Sequence, residues 1–441
     1  MTGILRPVTA LLLAAAVLLM GNGLIGVLVP LRADVEEFTR LDIGIMGSVY
    51  HVGLMAGCLL TPRIIARVGH VRAFTAFTAI ATTTPLLHAM AIDPIAWALL
   101  RGLNGLCFAG LFMGIESWLN AASSNETRGR VFGAYTLLNL TVVTAGIQMV
   151  TLGEPKGFEL FSIVAVLYSL AAVPVALTAT PAPTPPRTAR LRIWWLMSVS
   201  PAAVIACLFT GVANGAFWTL APIYGQNAGL GIGGTALFLT MAVLSGALTQ
   251  WPIGHLSDRL GRRLMLTLAG VCAAGIGILL YVVSTGSAPV ILAAGAAYGM
   301  MAFAVYPLAV AHANDLVHKK RAVEVSGGLL LTYAVGAIAG PLTASAAMDA
   351  AGHGALFLHS ALAHALIAAV MLARWQMRPQ LPKRHREEFV AVPRTTPAAF
   401  ELDPRAESLP AHPEDSAEPS QQEAADGAPS TDDGPATAPP S

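Results

Sequence analysis

Residues 254–263 read Gly-His-Leu-Ser-Asp-Arg-Leu-Gly-Arg-Arg and form a short polar string between two long apolar stretches. These stretches, Ala236–His255 and Leu264–Val283, each have about the 20-residue length that a helix needs to cross the hydrocarbon core of a bilayer. Gly261 permits a tight turn at a membrane surface, and Asp258 can accept hydrogen bonds from nearby arginines or from a helix N-terminus. A merely basic loop would explain the arginines but not the aspartate and two glycines at this spacing. The string therefore predicts a specific turn between two membrane-spanning helices.

Ten further apolar stretches of similar length run through the chain, which gives six before a proline-rich linker and six after it. They are Val8–Leu31, Ile45–Ile64, Ala73–Ile92, Ile95–Trp118, Val131–Leu152, Phe158–Thr178, Met197–Ile223, Pro289–Ala311, Val323–Ala347 and Ala355–Leu372. The chain is 55% hydrophobic and only 12% charged, whereas a soluble protein carries about 25% charged residues. The sequence therefore excludes a soluble protein and predicts an all-α polytopic membrane protein with twelve transmembrane helices.

The basic residues lie almost entirely on one side of this topology. If the N-terminus is inside, 22 of the 26 lysines and arginines are cytoplasmic, and Arg32, Arg40 and Lys156 lie on the opposite side. Only Arg101 lies within a span. Because cytoplasmic loops carry an excess of basic residues, we expect a multi-pass protein of the cell inner membrane with both termini in the cytoplasm.

The net charge of +1 is the sum of two unlike parts. Residues up to Gln376 carry 20 basic and 13 acidic residues, and residues 377–441 carry 6 and 12. The second part is rich in Pro, Ala, Ser and Glu with almost no apolar pattern, which is typical of disorder. The predicted organisation is a six-helix bundle (1–180), a cytoplasmic linker (181–196), a second six-helix bundle (197–376) and a disordered cytoplasmic tail (377–441). No nucleic-acid partner is expected.

The two halves match at a nearly constant offset. Asn22-Gly23 corresponds to Asn214-Gly215, and Arg67-Val-Gly69 corresponds to Arg259-Leu-Gly261, both at a shift of 192 residues. An even number of spans in each half gives the halves the same orientation. This pattern predicts a parallel pseudo-twofold repeat with a binding site between the halves near the membrane midplane.

The string 254–263, together with twelve spans in two repeats, resembles the major facilitator superfamily, whose loop signature has this pattern. In the equivalent loop of the first half, Ala66 stands where the signature has an aspartate. The stretches Gly114–Asn120 and Leu329–Pro341 look like the YcaD-like group of that superfamily. The resemblance implies the major facilitator fold and transport by alternating access.

Two groups of gating residues follow from the resemblance. The loop signature implies that one closed gate is braced by its conserved positions, which here are Gly254, Asp258, Arg259, Gly261, Arg262 and Arg263. Glu116, with Arg128-Gly129-Arg130 at the start of the next span, is similar to the Glu…Arg-Gly pair that latches the inner gate of sugar porters, and the resemblance implies a gating role for Glu116 and Arg130. Because the second half holds the intact signature, the bracing is expected to be asymmetric.

The resemblance also indicates which helices line a central cavity. Its polar or aromatic candidates there are Asn22, His51, Arg101, Asn104, Asn214, Trp218, Tyr298, Tyr306 and Tyr333. For the neutral residues, interhelical hydrogen bonding is at least as good an explanation as substrate contact. Arg101 is different because an arginine this deep in a span usually faces an aqueous cavity or a partner, and snorkelling to the interface is the alternative.

The predicted function is secondary active transport of a small molecule, with protons as the candidate coupling ion. Arg101 without an embedded acid suggests an anionic substrate, and Glu116 and His51 are the candidate proton carriers. The alternatives are a facilitative uniporter and a non-transporting membrane receptor, and the direction of transport stays open. No nucleophile–base pair, metal motif or cysteine pairing is present in the sequence, so we expect neither an enzyme nor a cofactor, and we expect a monomer.

Overall fold

The computed structural model describes residues 2–123, 127–177, 183, 193–317, 321–377, 389–390 and 394–402. In this part of the chain the regular structure is helical, with thirteen α-helices and two short 3-10 helices at Met149–Leu152 and Pro397–Leu402. The α-helices are α1 (Thr2–Val35), α2 (Arg40–Val68), α3 (His70–Met90), α4 (Pro94–Ala121), α5 (Arg128–Gln148), α6 (Glu159–Ala176), α7 (Ile193–Val199), α8 (Pro201–Asn227), α9 (Gly231–Leu260), α10 (Arg262–Val282), α11 (Ala288–Asn314), α12 (Ala322–Ala351) and α13 (Ala355–Met377). We call α1–α6 the first half and α8–α13 the second half.

Eleven of the described helices are long and apolar enough to cross a membrane, against twelve predicted spans. The exception is α3, which has 21 residues but carries several threonines and two histidines. Its threonine hydroxyls return to carbonyls of their own helix, as in Thr78 to Phe74 and Thr82 to Thr78, both at 2.8 Å. Such bonds satisfy the hydroxyls without a partner from outside the helix, so α3 can lie among apolar helices despite its composition.

A short helix that the sequence did not indicate precedes the second half. α7 begins at Ile193, inside the predicted linker 181–196. It ends before Ser200, whose backbone (φ −146°, ψ 77°) is non-helical, and Pro201 disfavours the helical conformation in the residue before it. Pro201 then occupies the first turn of α8, where its missing N–H costs nothing. Proline therefore divides what would otherwise be one helix.

Equivalent glycines form equivalent joints in the two halves. α2 passes into α3 at Gly69 (φ 83°) and α9 passes into α10 at Gly261 (φ 107°), both in the left-handed region that favours glycine. The close packing of helices also repeats between the halves. A Cβ at Gly23 would overlap the α5 backbone at Val143, and a Cβ at Gly215 would overlap the α12 backbone at Ala337. These pairs lie 192 residues apart, as the sequence repeat requires.

The two halves are joined at one end of the helices, which we call the far face. There the Arg40 guanidinium donates to the Met348 carbonyl oxygen at 3.0 Å, and the Gln148 amide donates to the Thr240 hydroxyl at 2.7 Å. The opposite end, where α13 ends, is called the tail face. The helices therefore enclose a space that is closed at the far face.

Part of the predicted disordered tail is ordered. Residues Thr396, Ala399 and Phe400 are buried, and Pro397–Leu402 forms a 3-10 helix. The prediction of disorder for 377–441 therefore does not hold for residues 394–402. The physical reason is local composition, because Phe389 and Phe400 are the only Phe, Tyr or Trp residues in those 65 positions, and both fall in residues 389–402.

Candidate substrate cavity

A cavity of about 260 Å³ lies between the two halves. Ligand pockets for small molecules have volumes of roughly 300 Å³ and above, so a cavity of this size suits a small solute. The polar and aromatic side chains that line it are Asn22, Tyr50, His51, Arg101, Phe112, Thr136, Asn139, Trp218, Thr219, Gln250, Tyr333, Arg394 and Thr395.

Arg101 is the fixed charge of the cavity in the first half. α4 begins with Pro94 at its first turn, and the Asp93 carboxylate caps it by accepting from the Ala96 N–H at 2.8 Å. Arg101 follows seven residues later, which places it about 10 Å along the helix at 1.5 Å per residue. Its guanidinium carbon lies 4.4 Å from the centroid of the Tyr50 ring.

The Arg101 guanidinium is incompletely satisfied. Its Nη1 is buried without a hydrogen-bond partner. Among the described residues, no carboxylate lies within salt-bridge distance of it. A buried cation without a counterion is costly in an apolar surrounding, so this site can gain free energy by binding an anion.

Five of the nine predicted cavity residues line the cavity, namely Asn22, His51, Arg101, Trp218 and Tyr333. The His51 ring lies edge-on to Tyr50, with the centroids 5.3 Å apart, and its Nδ1 bonds the Gly47 carbonyl oxygen at 2.8 Å. Trp218 stacks on Phe303 with centroids 6.1 Å apart. The walls therefore combine flat aromatic faces with a few polar groups.

The other four predicted cavity residues lie elsewhere. The Asn104 amide donates to the Thr84 hydroxyl of α3 at 3.1 Å, and the Tyr298 hydroxyl bonds Ser360 of α13 at 2.5 Å. Asn214 is fully buried away from the cavity, and Tyr306 packs edge-on against Tyr333 with centroids 5.1 Å apart. A cavity-lining helix presents only one face to the cavity, so polar residues on its other faces bond neighbouring helices.

The loop signature forms a compact cluster at the tail face. The Arg262 Nη1 lies 2.5 Å from an Asp258 carboxylate oxygen, and its Nε lies 3.2 Å from a carboxylate oxygen of Asp315 at the end of α11. Arg263 donates to the Arg374 carbonyl oxygen of α13 at 3.5 Å, whereas Arg259 is exposed. The turn at Gly261 is thus tied to two other helices of the second half.

Glu116 and Arg130 are not brought together. Glu116 is fully buried, and its carboxylate accepts hydrogen bonds from the Tyr135 hydroxyl at 3.1 Å and from the hydroxyls of Thr395 and Thr396. Arg130 is exposed, and no ion pair joins it to Glu116 in the part of the chain that the structure describes. In this conformation the side-chain partners of Glu116 are hydroxyl groups.

Sequence reasoning missed Arg394 and Thr395, which follow α13 and yet line the cavity. Arg394 places its guanidinium carbon 5.5 Å from the Phe303 ring and 5.8 Å from the Tyr333 ring. The signal that could have found this segment is its apolar content, with Phe389 and Phe400 on either side of Arg394.

In sequence, the chain is similar to transporters of one superfamily. Residues 11–341 and, in a second match, residues 203–402 fit the sequence model of the Major Facilitator Superfamily. An uncharacterized MFS-type transporter of Enterobacter sp. (strain 638) is 26% identical over 382 residues, which are 86% of this chain and 98% of the relative. The uncharacterized MFS-type transporter YcaD of Escherichia fergusonii is 25% identical over 382 residues, with the same coverage of 86% and 98%.

Two solved structures share the fold. The nucleoside transporter NupG superposes with a TM-score of 0.70 at 15% identity, over 85% of this chain and 100% of NupG. A bacterial homolog of the human lysosomal transporter Spinster, in an inward-facing and occupied conformation, gives 0.68 at 13% identity, over 86% and 97%. At this level of identity the likeness concerns the fold alone.

Proposed function

The chain belongs to the Major Facilitator Superfamily, and from this premise we propose that it is a secondary active transporter of a small anionic molecule in a bacterial inner membrane. Two six-helix bundles, residues 1–180 and 197–376, would alternately expose the central cavity to either side. The observation that carries the proposal is the unpaired guanidinium of Arg101 in a cavity that both halves line. One chain supplies the whole cavity, which supports a monomer.

The far-face contacts support alternating access. They include an Arg40 to Met348 bond and a Gln148 to Thr240 bond. A neutral bond contributes only about 0.5–1.5 kcal/mol net, and a bond with a charged group about 1.5–3 kcal/mol. Contacts of this strength can hold one face closed and still be exchanged in every transport cycle. The excess of basic residues on the tail side supports a cytoplasmic tail face, so the helices themselves would be in an inward-facing arrangement.

Arg101 would bind the anionic group of the substrate. A carboxylate or phosphate would complete the hydrogen bonds of the guanidinium, and charge-assisted bonds of this kind are about twice as strong as neutral ones. Tyr50, Trp218 and Tyr333 would contact the rest of the solute through their ring faces.

Protons are the proposed coupling ion, with Glu116 and His51 as the carriers. His51 lines the same cavity as Arg101, so an anion bound there would favour a protonated imidazole by Coulomb attraction. Glu116 is buried among hydroxyl groups rather than cations, and a carboxyl in such a place can take up a proton without breaking an ion pair.

The test is uptake by proteoliposomes that contain the purified chain. The panel comprises labelled monocarboxylates, dicarboxylates, phosphate esters, amino acids, sugars and a lipophilic cation, each with and without a pH gradient. We expect a pH gradient to drive accumulation of one anionic class. We also expect Arg101→Gln to reduce this uptake at least tenfold, whereas Arg72→Gln, which removes the same charge at an exposed position of α3, should not.

Any other result of the uptake assay would contradict part of the proposal and indicate a different function. Equilibration without accumulation would identify a uniporter, and saturable binding without flux would identify a receptor. Accumulation of only neutral or cationic solutes, unaffected by Arg101→Gln, would contradict the anionic substrate.

A further inference from the structure

The chain returns to the cavity after its last long helix. α13 ends at Met377, and the described residues beyond it, 389–390 and 394–402, here called the tail segment, lie at the tail face. Of the described tail-segment residues, Thr396 and Ala399 are fully buried and Phe400 is 1% exposed. Burial this complete matches that of the helix core, and it includes Phe400, one of the two phenylalanines that the chain has after Met377.

The tail segment is bonded to the first half through α4. The hydroxyls of Thr395 and Thr396 both donate to the carboxylate of Glu116. One turn further along α4, the Asn120 amide donates to the Glu401 carboxylate at 3.4 Å. Two side chains on one helix thus hold both ends of Thr395–Glu401.

The tail segment is bonded to the second half through the loop signature. The Phe389 backbone N–H donates to the Asp258 carboxylate at 3.2 Å. The Phe389 ring lies so close to Gly254 that a Cβ at that position would have no room. The Arg262 guanidinium carbon is 5.9 Å from the same ring. The aspartate and first glycine of the signature, which a basic loop would not need, therefore contact the tail.

The tail segment also enters the cavity itself. Arg394 and Thr395 are part of its lining, and the Arg394 guanidinium lies over the rings of Phe303 and Tyr333. A solute that passes between Arg101 and the tail face would have to displace this arginine.

From these contacts we propose that the tail segment is an autoinhibitory plug. It closes the cavity at the tail face and connects the two halves there. The tail segment must therefore dissociate from both halves before a solute can enter or leave the cavity at that face. The consequence for flux rests on the proposed transport function. The closure itself does not, and it can be measured without a substrate.

The first test measures access to the cavity. In a chain with its four cysteines replaced by alanine, Asn139→Cys places a reporter in the cavity wall. The probe is a negatively charged, membrane-impermeant methanethiosulfonate applied to detergent-solubilised protein. We expect Thr395→Val/Thr396→Val in the full chain, and truncation after Met377, to raise the labelling rate at least tenfold. Truncation after Leu402, which keeps the tail segment, should label like the full chain.

Two controls separate opening from unfolding. A cysteine reporter at Glu37→Cys, which is exposed at the far face, should react at the same rate in all these variants. A synthetic peptide of residues 389–402 should slow the labelling of Asn139→Cys again in the chain truncated after Met377. The same peptide with Thr395→Val and Thr396→Val should slow it less. Equal Asn139→Cys labelling with and without the tail segment would overturn the proposal.

The second test cross-links the tail segment to α12 in the position that the structure shows. A Cβ at Gly327 of α12 would lie 3.7 Å from the Cβ of Pro397, within the range of about 3.5–4.5 Å that disulfides require. We expect Gly327→Cys/Pro397→Cys to cross-link under mild oxidation and to suppress Asn139→Cys labelling at least tenfold until a reductant is added. The control pair Gly275→Cys/Pro397→Cys, with Gly275 facing open space on α10, should not cross-link. Failure of the first pair to cross-link would place the tail segment elsewhere and overturn the plug, whatever the result of transport assays.

Discussion

At the residue scale, the Arg101 guanidinium packs against the ring of Tyr50, and we expect this ring to position it in the cavity. The two lie 4.4 Å apart, and a desolvated cation–π contact contributes about 2 kcal/mol. We therefore expect Tyr50→Leu to raise the half-saturating concentration for the transported anion roughly 10- to 30-fold, at 1.4 kcal/mol per tenfold. Tyr50→Phe keeps the ring face and should cause a much smaller change. The measurement is concentration-dependent uptake by proteoliposomes, and equal effects of the two substitutions would show that the ring does not position Arg101.

The sequence could identify Arg101 as a charge within the membrane, but it could not show in which direction the side chains of nearby polar residues point. Arg101 could be singled out because it is the only basic residue within a span. Asn104 lies three residues further along α4 and was assigned to the same cavity, yet its short amide bonds Thr84 of α3. Side-chain direction depends on which helix supplies a partner, and that information is absent from the polarity of one position.

At the scale of the helix, the length of the apolar stretches predicted nearly all long helices. The short helix α7 and the tail segment were not predicted, for local reasons. α6 was predicted at Phe158–Thr178 and is observed at Glu159–Ala176. α7 was missed because a helix of seven residues leaves no periodic signal, and the tail segment was missed because its apolar cluster is diluted by the acidic residues that follow it. Hydropathy averages over a window describe long spans well and short buried segments poorly.

Glycine at helix contacts gives an element-scale prediction. A Cβ at Gly336 of α12 would overlap the backbone oxygen of Leu208 in α8, whereas Gly275 of α10 faces open space. We expect Gly336→Leu to force the two helices apart at a cost of about 1–3 kcal/mol or more, with a lower melting temperature and a smaller monodisperse fraction in detergent. Gly275→Leu is the matched control and should behave like the unchanged chain. A normal melting temperature for Gly336→Leu would contradict close packing of α8 on α12.

At the scale of the whole molecule, the two faces are closed by different means. At the far face the halves bond each other directly, as in Arg40 to Met348. At the tail face residues 394–402 bond the first half and Phe389 bonds the second. The proposed transport cycle needs the first set of contacts to break and re-form, whereas the proposed plug acts before that cycle begins. The two proposals can therefore fail independently.

A disulfide across the far face tests the cycle alone. A Cβ at Gly44 of α2 would lie 3.0 Å from the Cβ of Ser345 in α12, so a shift of about half an ångström reaches the spacing of a disulfide. In the chain truncated after Met377, which lacks the plug, we expect oxidised Gly44→Cys/Ser345→Cys to lose substrate flux and a reductant to restore it. Labelling of Asn139→Cys from the tail face should stay fast in the oxidised protein, because the cross-link holds only the far face closed. Flux that continues through the cross-linked protein would contradict alternating access, since a solute would then cross without the far face opening.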